Sequence, residues 1–406
     1  MDWKVNLPQQ LEAATALVRQ GQLGLATQAI QDALQGKNIN PAAPAAFTPP
    51  AATPSATPQR SSHTQQARWR NLFDADIQDA VVIDRPVPRA KAAPAARTAK
   101  AKAPTPRAKP QRTEPPGSFT RVALTHGGMQ RHYWLSVPPD AKSGADMPLV
   151  VMLHGCTQNP QDFATGTRMN AAAAPANALV LYPAQPPSAN QNGCWNWFVP
   201  EHQQRGQGEP DLLVAMLRYV QERHPVDAQR VYAAGLSAGG AMAALLGREY
   251  PDIFAAIGVH SGLQAGAAHN MLAALSAMKT GAKLGAQVPH AKRAEKAPAL
   301  IVFHGDADGT VNAKNGEQLV QATLSTLHGG PAKAQRQTQQ GQSPEGQPFT
   351  QTVYSADHTV VAEHWLLHGA GHAWSGGHPS GSHTDARGVD ATGEMLRFFL
   401  EHPHAR

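Results

Sequence analysis

The chain has 406 residues, of which 41% are hydrophobic and 16% charged, with a formal net charge of +6 at pH 7. This length and apolar content allow one large globular domain with additional segments. No apolar run approaches the roughly 20 residues of a membrane-spanning helix, which predicts a soluble protein. The first residues, MDWKVNLP, lack a basic region followed by an apolar core, so we expect no signal peptide and a cytoplasmic location.

Residues 1–38 are predicted to form a helical hairpin. Apolar residues between positions 7 and 35 recur at helical spacing, and Gly21 separates the two stretches. Two helices of this length cannot bury a core of their own, so they either dock on another surface or fray.

Residues 39–117 are rich in Pro, Ala, Thr and Lys, which predicts a largely disordered linker. Nine basic residues and no acidic one lie between Arg85 and Arg112, so the rest of the chain carries a formal charge of −3. This basic segment either binds a partner, such as an anionic granule surface or another polyanion, or is a solvated linker without one.

Residues 118–406 are predicted to form one large domain of the α/β class. Apolar strand-like runs lie near residues 119–124, 132–137, 149–153, 178–182, 230–234, 255–259, 299–303 and 364–367. Helical patterns lie near residues 211–222, 238–248 and 393–401. This alternation predicts a mostly parallel sheet with helices on both faces and with ligands at the carboxyl ends of its strands.

The apolar run Met147–Leu153 ends in the polar sequence HGCTQ at His154–Gln158. A polar loop directly after a buried strand lies where parallel sheets place their ligands, at the carboxyl ends of the strands.

Ser237 lies in the pentapeptide GLSAG, between an apolar run that ends at Ala234 and a helix-forming stretch that starts at Ala238. The two glycines allow the strained strand-to-helix turn that pushes a serine hydroxyl outward, the nucleophile elbow. The pentapeptide alone is common, but its place between strand and helix makes Ser237 the predicted nucleophile. In α/β-hydrolases, which carry such an elbow, the residue after the nucleophile supplies one backbone N–H to the oxyanion hole, and the loop after an earlier strand supplies the other. The predicted donors are therefore Ala238 and, in the loop after Leu153, Cys156.

Residues 263–296 are an Ala- and Lys-rich insertion with a helical pattern near its centre. In α/β-hydrolases, insertions at this position often cover the active site. The sequence leaves open a small cap and a surface helix without a gating role.

The apolar run Ala299–Phe303 leads into the sequence HGDAD, which offers Asp306 and Asp308 as the acid of a catalytic triad. His372 follows another apolar run and lies in a glycine-rich turn. The chain order of serine, acid and histidine is that of the α/β-hydrolase fold, so residues 118–406 are predicted to be an α/β-hydrolase catalytic domain. Histidines recur at positions 364, 368 and 372, but glycines interrupt any helix there, so no metal site is predicted.

Five motifs together resemble the poly(3-hydroxybutyrate) depolymerase family of esterases, to which feruloyl and acetylxylan esterases are related. They are HGCTQ at 154–158, GCWNW at 193–197, GLSAGG at 235–240, the His304 and Asp308 pair in HGDAD, and GHAW at 371–374. The resemblance favours Asp308 over Asp306 as the acid. It implies a serine hydrolase of carboxylic esters, with polyhydroxybutyrate or its oligomers as the leading substrate and an extracellular location as the alternative to the cytoplasm.

The same resemblance implies a disulfide between Cys156 and Cys194, whereas a cytoplasmic setting keeps both thiols reduced. Trp195 and Trp374 are predicted to line the substrate site as an apolar wall. Acyl transfer by such a triad needs no metal or organic cofactor. An alternative of another class is a granule- or polyanion-binding protein with a degenerate hydrolase domain, and the oligomeric state is left open.

Overall fold

The computed structural model of the protein describes residues 117–141, 145–282 and 297–404. The predicted helical hairpin, nearly all of the linker with its basic segment, and the second half of the insertion lie outside these residues. Within the described ranges, no helix is both long and apolar enough to cross a membrane.

The strands of the described residues are numbered here in chain order. They are β1 Phe119–His126, β2 Met129–Ser136, β3 Met147–Leu153, β4 Leu179–Pro183, β5 Val226–Leu236, β6 Ala256–His260, β7 Ala299–Gly305, β8 Gln335–Gln342, β9 Pro348–Ala356, β10 Thr359–Leu367, β11 Trp374–Ser375 and β12 Thr384–Asp385. The α-helices are α1 Pro160–Thr167, α2 Met169–Ala173, α3 Gly208–Gln221, α4 Ala238–Glu249, α5 Met271–Thr280, α6 Lys314–Leu324 and α7 Ala391–Glu401. Short 3₁₀ turns lie at Pro200–His202 and Pro331–Lys333.

Ten strands form one sheet in the order β1-β2-β4-β3-β5-β6-β7-β10-β9-β8. The six strands from β4 to β10 in that order are mutually parallel, and antiparallel pairs extend the sheet on each side. The carboxyl ends of the six parallel strands therefore meet at one edge of the sheet. Each of the eight predicted strand runs overlaps an observed strand, with ends that agree to within one residue or fall inside it. The predicted α/β-hydrolase architecture is confirmed.

Helices cover the central sheet on both faces, because its strands are apolar in both side-chain directions. Leu149 and Leu153 of β3 point into a core shared with α3, α4, α5 and α6, whereas Val150 and Met152 point into a second core with α1, α2 and α7. Burial of both faces is typical of parallel strands crossed by helices. The insertion contributes α5, the described part of its predicted helical pattern.

Candidate active site

Ser237 joins β5 to α4 in a backbone conformation that side chains rarely adopt, with φ 57° and ψ −119°. A Cβ on Gly235 would overlap the backbone of Gly239, and a Cβ on Gly239 would overlap the carbonyl oxygen of Leu153. Because both glycines are needed for this close approach, the turn cannot relax toward an ordinary one. Such a conformation costs roughly 1–3 kcal/mol and persists only where the surroundings enforce it.

Asp308 lies in the turn after β7, with its side chain fully buried. One carboxylate oxygen accepts hydrogen bonds of 2.8 Å from the N–H groups of Thr310 and Val311, and the other accepts one of 2.7 Å from His372 Nδ1. Burial by itself raises the pKa of Asp308, but the hydrogen bond from His372 and the two backbone donors outweigh it, so the pKa lies below its usual value. The acid is therefore ionised at neutral pH.

His372 follows β10, the strand beside β7. Because the carboxylate of Asp308 can only accept, His372 Nδ1 carries a proton, and Nε2 of the neutral ring is left as a base. Its side chain is 15% exposed, enough for contact with a bound molecule. The geometry at this position suits the general base of an acyl transfer.

Asp306, the other candidate acid, points elsewhere. Its carboxylate accepts a hydrogen bond of 2.8 Å from His368 Nδ1 and one of 2.7 Å from the N–H of Gly369, and it is well exposed. The structure thus brings His372 to Asp308 and gives Asp306 a turn-stabilising set of partners.

Ser237 and His372 lie at the same edge of the sheet, at the ends of β5 and β10. Among the hydrogen bonds of residues 117–141, 145–282 and 297–404, none joins Ser237 Oγ to His372 Nε2. Catalytic hydrogen bonds of this kind are often long without substrate and tighten in the reacting complex. Both side chains keep some exposure, 8% for Ser237 and 15% for His372.

The loop after β3 is held so that the Cys156 N–H has a fixed direction. His154 Nδ1 donates a hydrogen bond of 2.9 Å to the carbonyl of Gly155, and Nε2 accepts one of 3.3 Å from the N–H of Gln185. Burial lowers the pKa of His154, which keeps the ring neutral in this tautomer. Because the peptide unit is planar, holding the carbonyl of Gly155 aims the N–H of Cys156 the opposite way.

The two predicted oxyanion donors have no acceptor among the described residues. Neither the N–H of Cys156 nor that of Ala238 takes part in a hydrogen bond within residues 117–141, 145–282 and 297–404. Ala238 is also the first residue of α4, where unpaired N–H groups and the helix dipole favour negative charge. Both groups are therefore available to an oxyanion.

Cys156 and Cys194 form a disulfide. Beside it, the indole N–H of Trp195 donates a hydrogen bond of 3.1 Å to the carbonyl of His154. These two links tie the loop after β3 to the segment around Trp195, so the backbone that carries the Cys156 N–H is braced from a second side.

Trp195 and Trp374 are buried, each with 1% of its surface exposed. The indole of Trp374 donates to Thr392 Oγ1 and packs edge-on against Phe163. Their contact with a substrate stays a prediction.

The three histidines at positions 364, 368 and 372 lie in three different environments. His364 is buried in β10, His368 contacts Asp306 and His372 contacts Asp308. In the part of the chain that the structure describes, no group of three or more His, Cys, Asp or Glu side chains could hold a metal ion.

His260 is the residue of this site that sequence reasoning missed. It ends β6, between the strands that lead to Ser237 and to Asp308, and it is completely buried. The available signal was a histidine that closes an apolar strand in the sequence GVHSG, a placement that His154 and His304 share at the ends of β3 and β7.

Comparison with known proteins identifies related sequences. The family described as esterase PHB depolymerase matches residues 131–344, about half of the chain. The matched residues include Ser237 and Asp308 and end before His372.

The poly(3-hydroxyalkanoate) depolymerase C of Paucimonas lemoignei is 34% identical over 236 residues, which cover 56% of this chain and 55% of that protein. Feruloyl esterase B of Thermothelomyces thermophilus is 31% identical over 193 residues, which cover 44% of this chain and 65% of that protein. The chain thus spans less than two thirds of the length of these relatives.

Among solved structures, an acetyl xylan esterase from Aspergillus awamori superposes with a TM-score of 0.53. It is 19% identical, and the superposition covers 62% of this chain and 93% of that one. At this identity the likeness establishes a shared fold.

Proposed function

The chain belongs to the esterase PHB depolymerase family, and from that premise we propose that it is a serine hydrolase of carboxylic esters. Its leading substrates are short-chain hydroxyalkanoate esters or oligomers. The observation that carries the proposal is the 2.7 Å hydrogen bond between Asp308 and His372, at the sheet edge where the strained Ser237 lies.

The reaction is acyl transfer in two halves. Ser237 Oγ attacks the ester carbonyl carbon while His372 Nε2 takes its proton, and Asp308 stabilises the imidazolium. The N–H groups of Cys156 and Ala238 receive the charge that develops on the carbonyl oxygen. His372 returns the proton to the leaving alcohol, and water then repeats the sequence on the acyl-enzyme.

The names of the relatives suggest two candidate acyl groups for the substrate. The longer match, at 34% identity, is to a poly(3-hydroxyalkanoate) depolymerase, and the shorter one is to a feruloyl esterase. We place hydroxyalkanoates first for that reason. Feruloyl or acetylated-xylan esters are the second candidate, because the same catalytic groups serve them and only the pocket differs.

A substrate panel tests the activity and the acyl preference together. Wild-type protein and a Ser237→Ala variant are compared on p-nitrophenyl butyrate, hydroxybutyrate oligomers, a feruloyl sugar ester and acetylated xylan. Ser325→Ala, at an exposed serine after α6, is the matched control. We expect turnover on the first two substrates, loss of it in Ser237→Ala, and wild-type rates in Ser325→Ala.

The outcomes separate cleanly. Hydrolysis that survives Ser237→Ala in a folded protein contradicts the proposed mechanism. A higher kcat/KM on the feruloyl ester or on acetylated xylan than on the hydroxybutyrate oligomers supports the second candidate function instead.

The basic segment between Arg85 and Arg112 supports a further partner, an anionic granule surface or another polyanion. Replacing its nine basic residues by Gln in the full chain should leave the hydrolysis of p-nitrophenyl butyrate unchanged and reduce adsorption to anionic vesicles. Equal adsorption by both proteins leaves the segment as a solvated linker. Adsorption without hydrolysis in the wild type favours the alternative of a binding protein with a degenerate hydrolase domain.

A further inference from the structure

His260 touches both the nucleophile turn and the loop that carries the base. Its carbonyl accepts a hydrogen bond of 2.9 Å from the N–H of Ser237. Its side-chain Nε2 accepts one of 3.0 Å from the N–H of Ser375, three residues after His372. One residue therefore connects the two backbones that must bring the hydroxyl and the imidazole together.

We propose that His260 is a positioning residue that sets the spacing between Ser237 and His372. The inference rests on the proposed function, because it assigns His260 a part in the geometry of that same reaction. His260 itself touches neither reacting side chain by a hydrogen bond among the described residues, so it acts through Ser375 and the Ser237 backbone.

The tautomer of His260 is determined by its partners. A backbone N–H can only donate, so Nε2 must be the unprotonated nitrogen that accepts from Ser375. The proton is then on Nδ1, which lies 3.2 Å from Ser261 Oγ and donates to it. Burial lowers the pKa of His260 to about 3, so the ring stays neutral and keeps its acceptor at neutral pH.

The buried ring is stacked against two aromatic side chains, which oppose its rotation away from Ser375. Its centroid lies 5.9 Å from that of Phe303 in β7 and 5.3 Å from that of Trp374, with interplanar angles of 14° and 28°. Trp374 directly precedes Ser375. The His260 ring therefore contacts two adjacent residues of the loop that carries His372, one by stacking and the other by a hydrogen bond. The imidazole fits this place as both a flat ring and an acceptor.

Three substitutions separate these two properties. His260→Gln retains an acceptor at about the reach of Nε2, and His260→Phe retains the flat ring without an acceptor. His260→Asn retains a polar amide that is too short to reach Ser375. A displacement of about 1 Å at a reacting pair costs on the order of 10²-fold in rate.

We expect kcat for p-nitrophenyl butyrate to fall roughly 10- to 100-fold in His260→Phe and His260→Asn, with KM little changed. His260→Gln should recover most of the loss. The rate at which a fluorophosphonate labels Ser237 should follow the same order, and thermal unfolding identifies any variant that has lost its fold. Equal kcat in the Gln and Asn variants, or losses that only follow the unfolding temperature, overturn the proposal.

A second readout does not depend on activity. Hydrogen exchange at the Ser375 amide should be faster than in the wild type in His260→Phe and His260→Asn, and close to the wild-type rate in His260→Gln. A wild-type protein that neither hydrolyses esters nor labels at Ser237 refutes the proposed function, whereas unchanged Ser375 exchange in the Asn variant refutes the role of His260.

Discussion

The parallel centre and the antiparallel edge of the sheet differ in what they bury. All seven residues of β3 are buried, and six of the seven residues of β7 are, whereas seven of the eight residues of β8 are exposed. A central strand is paired on both sides and covered by helices on both faces, so its end is held in place. The difference teaches where chemistry can reside, because reacting groups must be held to within fractions of an ångström.

All four residues that matter most for the proposed reaction follow or end central strands. Ser237 follows β5, His260 ends β6, Asp308 follows β7 and His372 follows β10. Changes at these strand ends should therefore damage activity far more than changes among exposed side chains nearby.

The largest effect is expected at the acid. In Asp308→Asn the amide can no longer hold His372 in the required tautomer, and kcat should fall by about 10⁴-fold with the fold retained. Asp306→Asn is the matched control, since Asp306 follows the same strand but contacts His368 and Gly369. Steady-state kinetics on p-nitrophenyl butyrate measure both. A greater loss in Asp306→Asn than in Asp308→Asn reverses the assignment of the acid.

The disulfide between Cys156 and Cys194 should contribute the next largest effect. It closes a loop with a sequence separation of 38, and loop-closure entropy predicts a loss of about 4 kcal/mol in unfolding free energy when it is removed. Urea unfolding of the wild type with and without dithiothreitol measures this, and a Cys156→Ser, Cys194→Ser double variant is the control that should not respond to the reductant. If the wild type has the same unfolding free energy with and without dithiothreitol, the disulfide does not stabilise the fold.

A smaller but local effect is expected at the nucleophile turn. Gly239→Ala places a methyl group against the carbonyl oxygen of Leu153, and overpacking of this kind costs about 1–3 kcal/mol or more and displaces the loop after β3. Gly371→Ala is the control, since a Cβ at Gly371 meets nothing within 4 Å. The temperature of thermal unfolding should fall in Gly239→Ala and stay near that of the wild type in Gly371→Ala. Equal tolerance at the two positions would falsify the close approach at Gly239.

The buried histidines of the centre should make stability depend on pH. Burial lowers the pKa of His260 to about 3 and that of His364 to about 4, and it also lowers the pKa values of His154 and His304. Below a pH of about 6.5 the unfolded chain binds a proton on each of these histidines, whereas the folded chain does not. The unfolding free energy is therefore unaffected by them above that pH and decreases as the pH falls toward 4.

His260 and His364 should each contribute a slope of up to about 1.4 kcal/mol per pH unit to the unfolding free energy in that range. Urea unfolding at pH 7, 6 and 5 measures the slope, and His364→Leu should make it shallower by one histidine. A stability that does not change between pH 7 and 5 contradicts the neutral, buried state of these rings.

Sequence reasoning succeeded where the cause was local. The glycines around Ser237 and the apolar runs that end in polar turns are visible along the chain, and they led to the central strands. The edge strand β8 was missed because its sequence, QRQTQQGQ, has no apolar alternation, and it is held by backbone pairing with β9. The helix α6 was missed as well, since Gly316 and the polar residues around it weaken the helical pattern.

Within the site, the sequence indicated which residues to examine but not how they are arranged. The role of His260 depends on β6 lying between β5 and β7, an order that no local pattern contains. The burial of Trp195 and Trp374 likewise depends on parts of the chain that are distant in sequence. The indole of Trp195 donates a hydrogen bond to His154, and that of Trp374 donates one to Thr392. The choice between Asp306 and Asp308 became a matter of geometry only when the partners of both carboxylates were visible.

The most direct measurement of the central claim, that Ser237, His372 and Asp308 converge on one attacking oxygen, is covalent labelling. The protein is treated with a fluorophosphonate and the adduct is located by mass spectrometry, in the wild type and in His372→Ala. We predict a single adduct on Ser237, formed at least about 10³-fold more slowly in the variant. An adduct at another residue, or labelling of Ser237 at an unchanged rate without His372, contradicts the claim.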